Sequence, residues 1–284
     1  MSLFEKVVSS LHLTKEEELV FVGQQVDIGS PNIYGGHVLA QALRAARLCV
    51  DPEKRIHSLH GYFLHPGSHS EPVVYKVEPI KQGRSFDVMR VVASQRERTI
   101  FIMSASFHVA EKGIEHQSPM PNVVSPDQLK PFSKIFSEFA EKFGIQARGI
   151  LSSDGPFIFH PLEYYDPFHP GIRAPRQHLW FKPNGLLADD SLLHHELLAY
   201  ISDFNLLITS LLPHNLSFFT TPLKIASLDH AMWFHDDVQI NDWMLYEVES
   251  PRAAGGRAFC TGRIFSSNGK LIASVTQEGL VRKL

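Results

Sequence analysis

Two stretches of the chain match each other locally and in the same order. His60-Gly-Tyr-Phe-Leu-His65 pairs with His230-Ala-Met-Trp-Phe-His235 at an offset of 170, and Gly83-Arg-Ser-Phe86 pairs with Gly256-Arg-Ala-Phe259 at 173, with Arg90 matching Arg263. Such an internal duplication confines the fold to two copies of one supersecondary unit. The length of 284 residues agrees, since a prior of roughly one domain per ~150 residues suggests two units, each able to bury a core.

Each copy reads as a helix followed by an antiparallel meander. In the first, small and apolar residues fill HVLAQALRAARL after Gly35-Gly36, as a helix surrounded by protein requires. Strand-like runs follow at Ile56–Leu64, Val73–Ile80, Phe86–Ser94 and Thr99–Ala110, separated by turn residues. In the second, a run at His178–Lys182 precedes a long apolar helix from about Ser191 to Leu212. Runs at Lys224–Phe234, Trp243–Glu249, Arg257–Phe265 and Leu271–Val281 come after it, with Asn268-Gly269 marking a tight hairpin. A capping box, Ser2 with Glu5, starts a short outer helix at the N-terminus. The prolines 119, 121, 126 and 131 and the amphipathic FSKIFSEFAEKFG mark a linker with one helix. The expected division is an N-terminal domain over 1–115, a linker over 116–160, and a C-terminal domain over 161–284 that carries the candidate site. A helix wrapped by an antiparallel sheet is the hotdog arrangement. The expected fold is therefore an α+β double hotdog whose two sheets join into one continuous sheet, satisfying edge strands that would otherwise be exposed.

Composition narrows the partners. A net charge of −3 with 20% charged residues offers no basic surface for nucleic acid or an anionic membrane. Charged residues interrupt the apolar N-terminus, so neither a signal peptide nor membrane insertion is expected. Two cysteines, Cys49 and Cys260, far apart in sequence, fit a reducing, cytoplasmic compartment. The last three residues, Arg282-Lys283-Leu284, are similar to the peroxisomal Ser-Lys-Leu ending but lack its small first residue.

Three polar residues stand out in apolar surroundings. Asp203, in YISDFNLL, is a carboxylate in a buried helix, which needs hydrogen bonds to something; the plainer alternative is a helix residue that reaches water at a turn. Ser227 lies in a strand where alternation sets it with Asp229 and Ala231 on one face, and Ala226, Leu228 and His230 on the other. Gln277, near the end of the last strand, taken alone reads as solvent-facing. The 16 histidines do not build a metal site: His57 and His60, three apart on a strand, point to opposite faces, as do His230 and His235. His195-Glu196 opens a zinc-protease motif but alanine stands where the second histidine is required, and no nucleophile elbow, phosphate loop or dinucleotide fingerprint occurs, so neither metal nor cofactor is expected.

Together, YGGHVLAQAL, HSLHGYFLHPG, SDFNLL, SLDHAMWFH and ASVTQEG resemble the acyl-CoA thioesterase II family over almost the whole chain. The resemblance implies a double hotdog that hydrolyses fatty acyl-CoA to free acid and coenzyme A with an Asp, a Thr or Ser, and a Gln; by motif these are Asp203, Ser227 and Gln277. His57 matches a histidine typical of the family and is kept out of the catalytic set. Asp203 would act as general base, Ser227 and Gln277 would orient the water, and backbone N–H groups at the start of a central helix would polarise the carbonyl. The first half is expected to be a degenerate copy, with Ser106 where the second has Gln277. The alternatives are a hotdog hydratase or dehydratase, for which no helix clearly offers an acid/base pair, and a non-catalytic acyl-CoA binding module. Hotdog proteins commonly associate, so light scattering at micromolar concentration should give a dimer or tetramer, and a monomer would contradict this.

Overall fold

The structure, a computed structural model, describes residues 1–187 and 191–284. Helix α1 (Leu3–Ser10) is followed by β1 (Thr14–Glu17), β2 (Val20–Gly23), α2 (Gly35–Arg47), β3 (Lys54–Phe63), β4 (Val73–Gln82), β5 (Phe86–Gln95) and β6 (Arg98–Val109). A connecting segment carries α3 (Phe132–Ala140). Then come β7 (Phe157–Pro161), β8 (Arg176–Pro183), α4 (Ser191–Ser202), α5 (Leu206–Thr209), β9 (Leu223–Ser227), β10 (Asp229–Phe234), β11 (Met244–Ala254), β12 (Arg257–Ser266) and β13 (Leu271–Lys283). The Ser2–Glu5 capping box is present on both sides, satisfying two donors that the first turn leaves unpaired. Among the described residues no helix is long and apolar enough to cross a membrane.

Thirteen strands among the described residues form one antiparallel sheet, in the order β1-β2-β4-β5-β6-β3-β10-β13-β12-β11-β8-β7, with β9 on the end of β13. This is the continuous sheet of a double hotdog. The order is palindromic about the β3–β10 seam: β3 and β10, β6 and β13, β5 and β12, and β4 and β11 occupy matching places. Helix α2 packs on β3, β4, β5 and β6 and against α4, while α5 packs on β11, β12 and β13. Phe101, Phe107, Leu39, Leu197, Tyr200 and Tyr246 are buried between these layers.

Strand geometry decides between the two offsets seen in the sequence. His60 is exposed, whereas His230 is fully buried, so the His60/His230 match at 170 joins residues on opposite faces. At 173, Leu59 corresponds to Met232, and these two pair directly across the seam, both fully buried. A residue paired with its own counterpart marks a two-fold axis, the relation expected of a C2 dimer interface. Arg263 stands beside Glu247 across β12 and β11 as Arg90 stands beside Glu78 across β5 and β4, the arginines matching at 173 and the glutamates at 169. Between β3 and β10 the register is therefore the 173 of the Gly83/Gly256 match and not the 170 of HGYFLH/HAMWFH, whereas β6 and β13 correspond at 170, Ala105 lying opposite Leu59 as Val275 lies opposite Met232.

Candidate active site

The site forms where α4 ends. The long helix expected from Ser191 to Leu212 is broken: α4 stops at Ser202, and α5 begins at Leu206. Asn205 makes the break, holding φ +67° in the left-handed region, which Asn tolerates better than most residues. Its Nδ2 donates to Gln177 Oε1 at 2.9 Å, and Gln177 Nε2 donates to Thr209 Oγ1 at 3.0 Å, so the turn is fixed from both sides. Tyr246 donates its hydroxyl to the Ser202 carbonyl at 2.6 Å, satisfying one acceptor at the helix end. Asp203 thus lies on a turn between two helices, half-buried, and not within a continuing helix.

That turn meets the first turn of α2, because α2 and α4 run antiparallel with Arg44 paired to Glu196 at 3.2 Å further along. Gly36 N–H donates to Asp203 Oδ2 at 3.0 Å. Two glycines permit the approach: a Cβ on Gly35 would stand 2.7 Å from Asp203 Oδ2, and one on Gly36 would stand 2.0 Å from the Tyr200 carbonyl oxygen. This N–H, expected among the free donors of a central helix, is occupied by the carboxylate.

Ser227 reaches the same place through an irregularity. Ser227 pairs with Gly279 on β13, but Ala231 pairs with Thr276, so the ladder slips by one residue between β9 and β10. The slip overturns the expected alternation and brings Ser227 onto the inner face with His230 and Gln277. Gln277 also differs from its reading in isolation: it faces inward and is 1% exposed. Its Nε2 lies 2.5 Å from Asp203 Oδ1, 3.1 Å from Ser227 Oγ and 3.3 Å from His230 Nδ1. The Ser227 hydroxyl lies 3.4 Å from Asp203 Oδ1. Asp203, Ser227 and Gln277, drawn from a helix end and two strands, therefore stand in one hydrogen-bonded group.

His230 belongs to that group and was absent from the sequence-derived set. Its Nε2 is 2.9 Å from Ser202 Oγ, which in turn donates to the Ala199 carbonyl at 2.8 Å. Burial lowers its pKa, opposed by the charges of Asp203 and Asp229. The available signal was its place in SLDHAMWFH, where only a register slip could set it beside Ser227. Tyr34, Tyr200 and Tyr246 surround Asp203, and burial followed by the charge of Asp203 raises all three phenols, so they stay protonated.

The first half does not repeat the trio. The ladder places Lys54 opposite Val109 where the second half has Ser227 opposite Gly279, and it places buried Phe107 where the second half has Gln277. Lys54 is tied to Asp87 at 2.7 Å. Ser106, expected as the counterpart of Gln277, instead faces the outer side and bonds His57 Nε2 at 2.8 Å. His57 is on that side because β3 is irregular between Ile56 and Ser58, so His57 and His60 share a face, contrary to simple alternation. His235, bonded to Ser274 Oγ, does lie opposite to His230. Among the described residues no three His, Cys, Asp or Glu side chains cluster as metal ligands.

Beside the Asp203 turn lies a cavity of about 270 Å³, walled by Tyr34, Phe204 and Asn205 on the near side and by Ile135, Leu212 and Phe219 beyond. Its mainly apolar lining suits an aliphatic chain.

A family profile described as acyl-CoA thioesterase matches residues 157–280, and one described as acyl-CoA thioesterase N-terminal domain matches 24–108. The chain is 40% identical to acyl-CoA thioesterase 2 of Haemophilus influenzae, covering 99% of this chain and 98% of that one. It is 34% identical to human acyl-coenzyme A thioesterase 8, over 97% of this chain and 88% of the other. In structure it is similar to an acyl-CoA thioesterase II from Mycobacterium marinum, with a TM-score of 0.80, 37% identity and 98% of each chain covered.

Proposed function

The chain belongs to the acyl-CoA thioesterase II family, and from that premise we propose that it hydrolyses fatty acyl-CoA to free acid and coenzyme A with a water oriented by Asp203, Ser227 and Gln277. The observation that carries the proposal is the convergence of these three side chains: Gln277 Nε2 is within 3.1 Å of both Asp203 Oδ1 and Ser227 Oγ. The chain is a thioester hydrolase by kinship; the assignment of roles is the proposal.

A thioester carbonyl is electrophilic and its thiolate leaves readily, so an oriented water suffices and no covalent acyl-enzyme is needed. The water oxygen bonds to the carbonyl carbon while its proton passes to Asp203. The tetrahedral intermediate then collapses, the carbon–sulfur bond breaks, and the thiolate recovers a proton from Asp203 or solvent. Gln277 Oε1 is buried and accepts no hydrogen bond among the described residues, which suits it to receive the second O–H of the water. Ser227 holds the Gln277 amide and Asp203 in register.

The acyl chain is proposed to enter the cavity beside Phe204. Thiol release from acyl-CoAs of graded length tests both halves of this reading. With Leu212→Trp the preference is expected to shift to shorter chains, with kcat/KM for the longest accepted chain falling by about 10-fold or more. An unchanged length profile would place the chain elsewhere, and no thiol release by wild type from any length would remove the hydrolytic reading itself.

The proposed division keeps residues 1–115 and 161–284 as the two hotdog domains and 116–160 as the linker, with the N-terminal domain lending the Gly36 N–H to Asp203. Association into a dimer or tetramer is part of the proposal, and the exposed aromatics Tyr62, Phe86 and Phe259 offer apolar surface for it. A cytoplasmic setting suits the free thiols of Cys49 and Cys260. The peroxisome-like ending is bonded into the sheet, with Lys283 paired to Leu223 and the Leu284 N–H donating to the Pro222 carbonyl at 3.0 Å.

A further inference from the structure

We propose that His230 is a positioning residue, whose neutral imidazole, bare at Nδ1 and protonated at Nε2, sets which way the Gln277 amide points. The inference rests on the site proposed above and extends it to a residue that touches neither water nor substrate.

Acting as the base, Asp203 is a carboxylate whose Oδ1 only accepts, so the amide atom 2.5 Å from it must be the Gln277 nitrogen; the amide oxygen would be repelled there. That same nitrogen faces Ser227 Oγ at 3.1 Å and His230 Nδ1 at 3.3 Å, so its second proton is shared between them; because an amide nitrogen accepts nothing, Nδ1 can only be an acceptor there. The ring proton then lies on Nε2, where Ser202 Oγ is 2.9 Å away. Ser202 can accept it, because its own hydroxyl proton is directed to the Ala199 carbonyl. The chain of donors runs one way, from His230 to the body of α4, and only one tautomer completes it. An Nδ1–H tautomer or an imidazolium would set N–H against N–H and push the amide out of place. With its nitrogen fixed, Gln277 leaves Oε1 as the acceptor free for a ligand.

Two amide substitutions separate this role from plain packing. Asn carries its oxygen near the place of Nδ1, and Gln carries its amide near the place of Nε2. His230→Asn should therefore keep the acceptor for Gln277 and hold kcat within about 5-fold of wild type. His230→Gln should keep only the Ser202 side and lose about 100-fold in kcat at little changed KM, the scale of a misplaced reacting group. If the residue only fills space, both variants will lose activity in step with their thermal stability, and the proposal falls. Nitrogen-15 NMR of the wild-type protein supplies a second measurement that needs neither activity nor a folded His230 variant: the signal that shifts in Ser202→Ala should show a bare Nδ1 and a protonated Nε2 at neutral pH. A protonated Nδ1 would overturn the proposal even if thiol release is robust, whereas an inactive wild type with the expected tautomer would fault the hydrolytic reading and leave the geometry standing.

Discussion

Asp203→Asn is expected to lower kcat for thiol release about 10³-fold, within the range of lost general-base catalysis, with KM changing by less than about threefold. Asn has nearly the shape of Asp, so the cavity and the α4 turn stay in place. What changes is proton affinity and one hydrogen bond. Asparagine must turn its oxygen to Gln277 Nε2, which leaves its NH₂ facing the Gly36 N–H, donor against donor. That conflict is expected to cost on the order of 1–2 kcal/mol of stability, too little to unfold an ordinary domain. Steady-state kinetics with urea unfolding checks both parts. A variant that retains more than a tenth of the wild-type kcat would remove Asp203 from the role of base.

Gly36→Ala is expected to destabilise the fold by on the order of 3 kcal/mol, read as a lower urea midpoint at unchanged slope. Alanine normally favours a helix over glycine by about 1 kcal/mol, and that gain acts in the opposite direction here. The clash wins because the added carbon would stand 2.0 Å from a backbone oxygen of α4, which cannot rotate away as a side chain could. Relief requires α2 and α4 to separate, and separation draws the Gly36 N–H from Asp203. Activity should fall with stability. A variant as stable as wild type would mean that the helices slide apart at no cost.

Local physics is legible in the sequence; contacts between distant segments are not. The capping box at Ser2, the alternating strands and the buried pattern of α2 report local physics, and the elements appear where those signals stand. Asp203, Ser227 and Gln277 were identified through phrase resemblance, and their mutual contact depends on features that propensity does not encode. One residue of slip between β9 and β10 reverses the face of Ser227, and one irregularity at His57 does the same in β3. The helix break at Asn205 depends on Gln177, 28 residues earlier in the chain, so a local window could not see its cause. His230 was missed because its neighbours in the strand are not its partners in space.

The correspondence of Lys54 with Ser227 has a consequence for how such a protein can change over generations. In a homodimer built from one hotdog gene product, every substitution lands twice, and both sites inherit it. Here each copy mutates alone. A lysine that would ruin a hydrolytic site is harmless at position 54, where it instead holds Asp87 inside the N-terminal half. With the reaction assigned to the second copy, the corresponding place in the first is free to serve as scaffold.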